Sequence, residues 1–172
     1  SDAEKEGLTA YDRLEDFLAD ERISLVFICT PNNVHAQLAI ACLQAGKHVM
    51  CEKPVTMNSE ELEQVIAAAE KAGRIFTVHQ NRRWDEDYLM TCQAVQSGEI
   101  GNITTIQSRV YGQRGVCFGW RADPVAGGGM LYDWGIHLID QLLCMFRGHE
   151  VVSVYARLLS ILTPAVDDSF EL

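Results

Sequence analysis

Apolar residues follow two rhythms along this chain of 172 residues. In the first half, short unbroken runs alternate with helical spacing. Ser24-Leu25-Val26-Phe27-Ile28-Cys29 ends at Thr30-Pro31-Asn32 and reads as a strand buried on both faces. Residues 33–45 then show helical spacing through Val34, Leu38, Ile40, Ala41 and Leu43, stopped by Gly46 as a left-handed cap. Lys47-His48-Val49-Met50-Cys51 is a second strand. A helix follows, with Asn58 as N-cap and Glu61 three residues on, a capping-box arrangement. Its apolar side carries Leu62, Val65, Ile66 and Ala69, and it ends at Gly73. Arg74-Ile75-Phe76-Thr77-Val78 is the third strand. Ahead of them, Asp12 caps a short helix with apolar residues at Leu14, Phe17 and Leu18. Strands separated by helices pair in parallel through right-handed crossovers, and ligands of such sheets gather at the strands' carboxyl ends. Those ends are Thr30-Pro31-Asn32, Glu52-Lys53-Pro54 and Gln80-Asn81-Arg82-Arg83, polar or charged after apolar runs.

Beyond Asn81 the rhythm changes. A helix over 85–97 is closed by Gly98. The β-branched and aromatic stretch 103–111 predicts a sheet strand. A Gly-rich loop (112–128) leads into a helix over 129–146. Strands are expected over 150–159 and from Asp168 onward. A parallel α/β unit followed by a strand–helix–strand α+β unit means two domains, with a boundary near 82–100.

Composition changes this picture little. The chain is 48% hydrophobic and 22% charged, enough for a real core and too apolar for disorder. A formal charge of −10 argues against a nucleic-acid footprint. No apolar stretch has the length of a membrane span, and Ser1-Asp2-Ala3-Glu4-Lys5-Glu6 is unlike a signal peptide. Cys29, Cys42, Cys51, Cys92, Cys117 and Cys144 are widely spaced with no Cys-x-x-Cys, so reduced, mostly buried thiols in a cytoplasmic protein are expected.

Two segments carry chemistry. Lys53 stands at a strand end before Pro54, which disfavours the α region for it and removes a backbone donor. Its ammonium either hydrogen-bonds a substrate oxygen or is a solvated lysine beside Glu52. In Gly127-Gly128-Gly129-Met130-Leu131-Tyr132-Asp133-Trp134-Gly135-Ile136-His137-Leu138-Ile139-Asp140, Asp133, His137 and Asp140 share one face of a helix. Asp133 orienting His137 would make a general-base dyad; a capping Asp with a structural His is the plainer alternative. The same three side chains are also possible metal ligands, without a recognisable fourth, and no metal is expected. Asp140 serves either the site or the seating of the helix. Thr30-Pro31-Asn32-Asn33-Val34-His35 offers donors to a phosphate or ribose, or is a simple turn and cap. Asn81, Arg82, Arg83 and Trp84 line the same cleft or form a surface turn.

Thr-Pro-Asn-x-x-His, Glu-Lys-Pro, Asn-Arg-Arg-Trp and Gly-Gly-Gly-x-x-x-Asp-x-Gly-x-His-x-x-Asp, in this order, resemble the Gfo/Idh/MocA family of nicotinamide-dependent oxidoreductases from about Tyr11 onward. The resemblance implies an α/β fold: a partial Rossmann-type parallel sheet (1–82, the C-terminal half of a dinucleotide-binding domain). An α+β substrate and oligomerisation domain would follow (83–172, its first part) with an open, mainly antiparallel sheet. It implies hydride transfer between NAD or NADP and a secondary alcohol or carbonyl of a sugar- or cyclitol-like substrate, and a homo-oligomer, dimer or tetramer. Lys53 would be the catalytic lysine, His137 the acid/base and Asp133 its assistant. Thr30, Pro31, Asn32, His35, Glu52, Lys53, Asn81 and Arg82 would line the cofactor. Lys53, Tyr111, Trp120, Arg121, Asp133, Trp134 and His137 would line the substrate. The family's Gly-x-Gly-x-x-Gly turn is not among these residues, which correspond to about the middle half of a member. The expectation is a central part of a longer enzyme, inactive by itself. The alternative is a non-catalytic relative that binds a nucleotide or a protein.

Overall fold

A computed structural model describes residues 5–112 and 118–172. The parts of the Gly-rich loop at 113–117, with Cys117, and residues 1–4 lie outside the described residues. After a short helix α1 (Leu14–Ala19), strands β1 (Leu25–Ile28), β2 (His48–Cys51) and β3 (Phe76–Val78) form a parallel sheet in that order. Helices α2 (His35–Gln44) and α3 (Ser59–Ala72) are the crossovers. Register aligns Val26 with Val49 and Ile28 with Cys51, so the alternate residues of β1 and β2 make one apolar face. Ala39, Cys42 and Leu43 of α2 and Val65 and Ala69 of α3 close over that face. Val49, Leu43 and Val65 are fully buried, each worth roughly 2 kcal/mol of transfer free energy.

Two successive right-handed crossovers running in one direction place both helices on the same side of the sheet. The expectation of a strand buried on both faces is therefore corrected for β1. Val26 and Ile28 are buried, whereas Leu25 and Phe27 are 56% and 47% exposed. The capping predicted for α3 is present: Asn58 Oδ1 accepts from the Glu61 amide (2.8 Å), while the Glu61 carboxylate reaches back to the Met57 amide (2.9 Å). Gly73 (φ 61°) ends α3 in the left-handed region. At α1 the cap position is Arg13 rather than Asp12, with no side-chain cap bond.

The second half contains α4 (Glu86–Ser97), a π-helical turn Leu131–Gly135 running into α5 (Ile136–Met145), and the antiparallel pair β4 (Arg157–Leu159) and β5 (Ser169–Glu171). Asp168 closes the β4–β5 connection by accepting from the amides of Ile161, Leu162 and Thr163, bonds that hold its carboxyl below the usual carboxylate range. The strand expected over 103–111 is absent from every sheet of the described residues, and that over 150–159 is confined to its last residues. A β-branched stretch favours extended backbone, but a strand also needs a partner edge, and among the described residues neither 103–111 nor 150–156 is paired with a strand.

The Gly127–Gly129 tract has a steric cause. A Cβ on Gly127 would lie 2.6 Å from Met57 Sδ and 2.9 Å from Asn32 Cβ; one on Gly128 would lie 2.2 Å from the Arg121 carbonyl oxygen. On Gly129 it would meet the Asp167 carboxylate at 2.2 Å. Three glycines thus let the loop touch the β1 strand end, the 121–123 turn and the segment before β5, and so set where the following helix begins.

Candidate active site

The carboxyl ends of the strands meet the π–α helix over two adjoining cavities. The first, about 280 Å³, is lined by Cys29, Thr30, Asn32, Glu52, Lys53, Pro54, Trp120, Arg121 and Asp133. The second, about 390 Å³, is lined by Lys53, Arg82, Phe118, Arg121, Asp133, Trp134 and His137. Lys53, Arg121 and Asp133 belong to both.

Lys53 is directed by the helix rather than by its neighbour Glu52. Its Nζ donates to the Asp133 carbonyl (2.6 Å) and to Asp133 Oδ1 (3.2 Å), with the lysine side chain 13% exposed. Arg121 Nε donates to the same Oδ1 (3.2 Å) and its guanidinium stacks over Trp120. Glu52 turns to His79 (Oε1–Nδ1 2.9 Å). The ammonium is thus fixed at the cavity wall by one carboxylate that it shares with a guanidinium.

His137, 4% exposed, takes a partner other than the expected Asp133: its Nδ1 lies 2.9 Å from Gln80 Oε1. The π turn is the cause. Its wider winding breaks the α-helical spacing that would stack positions 133 and 137, so Asp133 faces Lys53 and Arg121 while His137 faces β3's end. Burial, then the positive charges of Lys53 and Arg82, push His137 down to about 4, against weaker upward pulls from Asp133 and Asp85. The imidazole is neutral at physiological pH. Asp140 is used in seating the helix, through a two-pronged ion pair with Arg83 (2.7 and 2.5 Å). Asp133, His137 and Asp140 therefore face three different partners, and among the described residues no group of three or more His, Cys, Asp and Glu could hold a metal ion.

Of the other residues expected to line the cofactor, Thr30, Asn32, Glu52 and Arg82 border a cavity. Asn32 Nδ2 is committed to the Gly127 carbonyl (2.7 Å). His35 does not reach either cavity: it is fully buried, its Nδ1 and Nε2 lying 2.8 and 3.0 Å from the carbonyls of Pro54 and Thr30, so it ties two strand ends together. Pro31 and Asn81 line neither cavity. Arg82 stacks over Trp134 (4.1 Å to the ring centre) and pairs with Asp85 (2.8 Å). Trp120, Arg121 and Trp134 border the cavities, whereas Tyr111 is 83% exposed and away from them. Trp84 is also exposed. Gln80 and Phe118 were not foreseen as site residues. Gln80 had one signal, its place at a strand's carboxyl end.

Of the described cysteines, Cys42 and Cys51 are buried, and burial raises both thiols, Cys51 to about 12; Cys92 and Cys144 are half-buried and Cys29 is exposed, so the thiols are less buried than expected. No helix among the described residues is long and apolar enough to cross a membrane.

Residues 2–80 match the family model described as oxidoreductase family, NAD-binding Rossmann fold, and residues 88–172 match the GFO/IDH/MocA C-terminal domain. The chain belongs to the Gfo/Idh/MocA family. A crystal structure of an NAD-binding protein from Listeria innocua is 47% identical, with a TM-score of 0.94 over 98% of this chain and 48% of that one. Two curated proteins are also similar. An uncharacterized oxidoreductase of Schizosaccharomyces pombe is 38% identical over 81% of this chain and 38% of its own length. The scyllo-inositol 2-dehydrogenase (NADP(+)) IolW of Bacillus subtilis is 40% identical over 81% of this chain and 39% of its own length. The chain spans less than half the length of these relatives.

Proposed function

We propose that these residues carry the reaction centre of an NAD(P)-dependent dehydrogenase that interconverts a secondary alcohol and a carbonyl on a cyclitol or related sugar. One observation carries the reading: Lys53 from the end of β2 and His137 from the π–α helix line a single cavity, the first as an anchored cation and the second as a neutral imidazole. Similarity to an enzyme named for scyllo-inositol supports cyclitols as the substrate class. In this reading 1–82 belong to the dinucleotide-binding domain and 83–172 to the substrate domain.

The residues present fit a nicotinamide dinucleotide. Thr30 Oγ1 is buried without a hydrogen-bond partner among the described residues, and its side chain borders the smaller cavity. An orphaned buried hydroxyl costs about 1–3 kcal/mol, which a polar group of a bound ligand would offset. Thr30, Glu52 and Lys53 would hold the dinucleotide, which when bound supplies the hydride acceptor. The chain's own groups do the rest. Lys53 Nζ donates to the substrate hydroxyl oxygen and stabilises the negative charge growing there. The hydroxyl proton passes to the neutral imidazole of His137, a general base, and returns from it in the carbonyl-reducing direction. Asp133 keeps the ammonium in place, and Trp134 under Arg82 forms a flat wall suited to a ring's apolar face.

The test is steady-state turnover of the full-length protein with NAD and NADP against scyllo-inositol, myo-inositol and aldoses, beside the Lys53→Ala variant. The expected result is turnover of a polyol, lost by more than about a hundredfold in the variant, which still binds dinucleotide, though more weakly, through Thr30 and Glu52. Tight dinucleotide binding with no turnover of any polyol would contradict the reading and favour a binding relative.

A further inference from the structure

We propose that Gln80 is the positioning residue that sets the tautomer of His137, so that the nitrogen available to substrate is an unprotonated Nε2. The kinetic part of this inference rests on the dehydrogenase reading above; the tautomer itself does not.

One amide fixes the ring. Gln80 stands just past β3, and its side chain bridges two groups of the helix that begins α5. Gln80 Nε2 lies 3.3 Å from the Ile136 carbonyl oxygen, and Gln80 Oε1 lies 2.9 Å from His137 Nδ1. A carbonyl can only accept, so the amide's NH2 must face Ile136, and its oxygen must then face the ring. An amide oxygen also only accepts, so Nδ1 carries the proton. A neutral imidazole has a single N–H, which leaves a lone pair on Nε2. That nitrogen has no hydrogen-bond partner among the described residues, and His137 borders the larger cavity with Lys53.

The choice of an amide over a carboxylate matters. Asp133, the acid expected to assist His137, is occupied by Lys53 and Arg121. A carboxylate at Nδ1 would favour the protonated ring; Gln80 orients the ring without adding charge. The charged groups around His137 are Lys53, Arg82 and Arg121 on one side of the balance and Asp133 and Asp85 on the other. During alcohol oxidation the substrate's hydroxyl proton moves to Nε2, and the ring becomes an imidazolium. The Nδ1 proton stays where it is, donated to Gln80 Oε1 throughout, and no proton passes to the amide.

The test labels the histidines of the full-length protein with 15N and reads long-range 1H–15N couplings at neutral pH, which distinguish a protonated from an unprotonated ring nitrogen. Protonated Nδ1 with unprotonated Nε2 is expected at His137; the opposite tautomer overturns the proposal. Gln80→Met, of similar length but without the acceptor, should give mixed tautomers and lower kcat by about a hundredfold, with KM within about threefold. Gln80→Glu should restore the Nδ1–H tautomer and move the acidic limb of kcat to higher pH, which a mere packing role would not do. A Met variant with unchanged tautomer and kcat, or a Glu variant with an unmoved limb, would refute the role. The expected tautomer in a wild-type protein that turns over no polyol would refute the dehydrogenase reading and leave the Gln80 assignment standing.

Discussion

Replacing His137 with Gln should flatten the acid side of the protein's stability curve. The imidazole is 4% exposed and held at about 4 in the folded state, against an ordinary 6.5. Unfolded chains therefore bind a proton at this residue that the folded protein refuses. The sign follows: the contribution is whole above pH 6.5 and is lost as pH falls toward 4. A gap between 6.5 and about 4 corresponds to about 3 kcal/mol in all, of which roughly 2 kcal/mol is gone by pH 5. Other groups that titrate in this window do so in wild type and variant alike, so the difference between the two curves isolates His137. Urea denaturation of the full-length protein at several pH values between 8 and about 4 gives both curves. The Gln variant should be the less stable protein at pH 8, and its deficit should shrink by about 2 kcal/mol at pH 5. Parallel curves over this range would refute the claim of a buried, neutral imidazole.

Lys53→Met removes a positive charge that depresses His137 and should raise the midpoint of its NMR titration, whereas Asp133→Asn removes an upward pull and should lower it; shifts of the same sign in both would contradict the electrostatics. Gly128→Ala drives a Cβ to 2.2 Å from the Arg121 carbonyl and disturbs two backbone hydrogen bonds, costing about 3 kcal/mol, while Gly101→Ala meets open space and costs only about 1 kcal/mol for its positive φ; thermal unfolding separates them. Thr30→Val deletes the orphaned hydroxyl and should stabilise the ligand-free protein by up to about 1 kcal/mol while weakening dinucleotide binding; unchanged affinity by calorimetry would remove Thr30 from the cofactor site.

The parallel half of the fold was legible because each element carried its own signal. Apolar runs marked β1 to β3, and Asn58, Glu61 and Gly73 marked the two ends of α3. Pairing was less legible. Residues 103–111 have strand composition, yet nothing in a single stretch of sequence states which edge it meets. At the site, the meeting of Lys53 with the Asp133–His137 helix could be expected from strand-end logic and from the family resemblance. The division of labour could not. A π turn, invisible in residue spacing, sends Asp133 to Lys53 and His137 to Gln80. Gln80 acquires its role from a backbone carbonyl more than fifty residues away, so residue type alone does not reveal it. His35 shows the converse: a motif histidine that looks available for a ligand is committed to two carbonyls of the backbone.

In the proposed reaction a single substrate oxygen is held between Lys53 and His137. A crystal structure of the full-length protein with dinucleotide and scyllo-inositol tests it most directly. The account predicts one ring hydroxyl oxygen at about 3 Å from both Lys53 Nζ and His137 Nε2, over the face of Trp134. A cyclitol bound with neither group within hydrogen-bond reach of the same oxygen would contradict it.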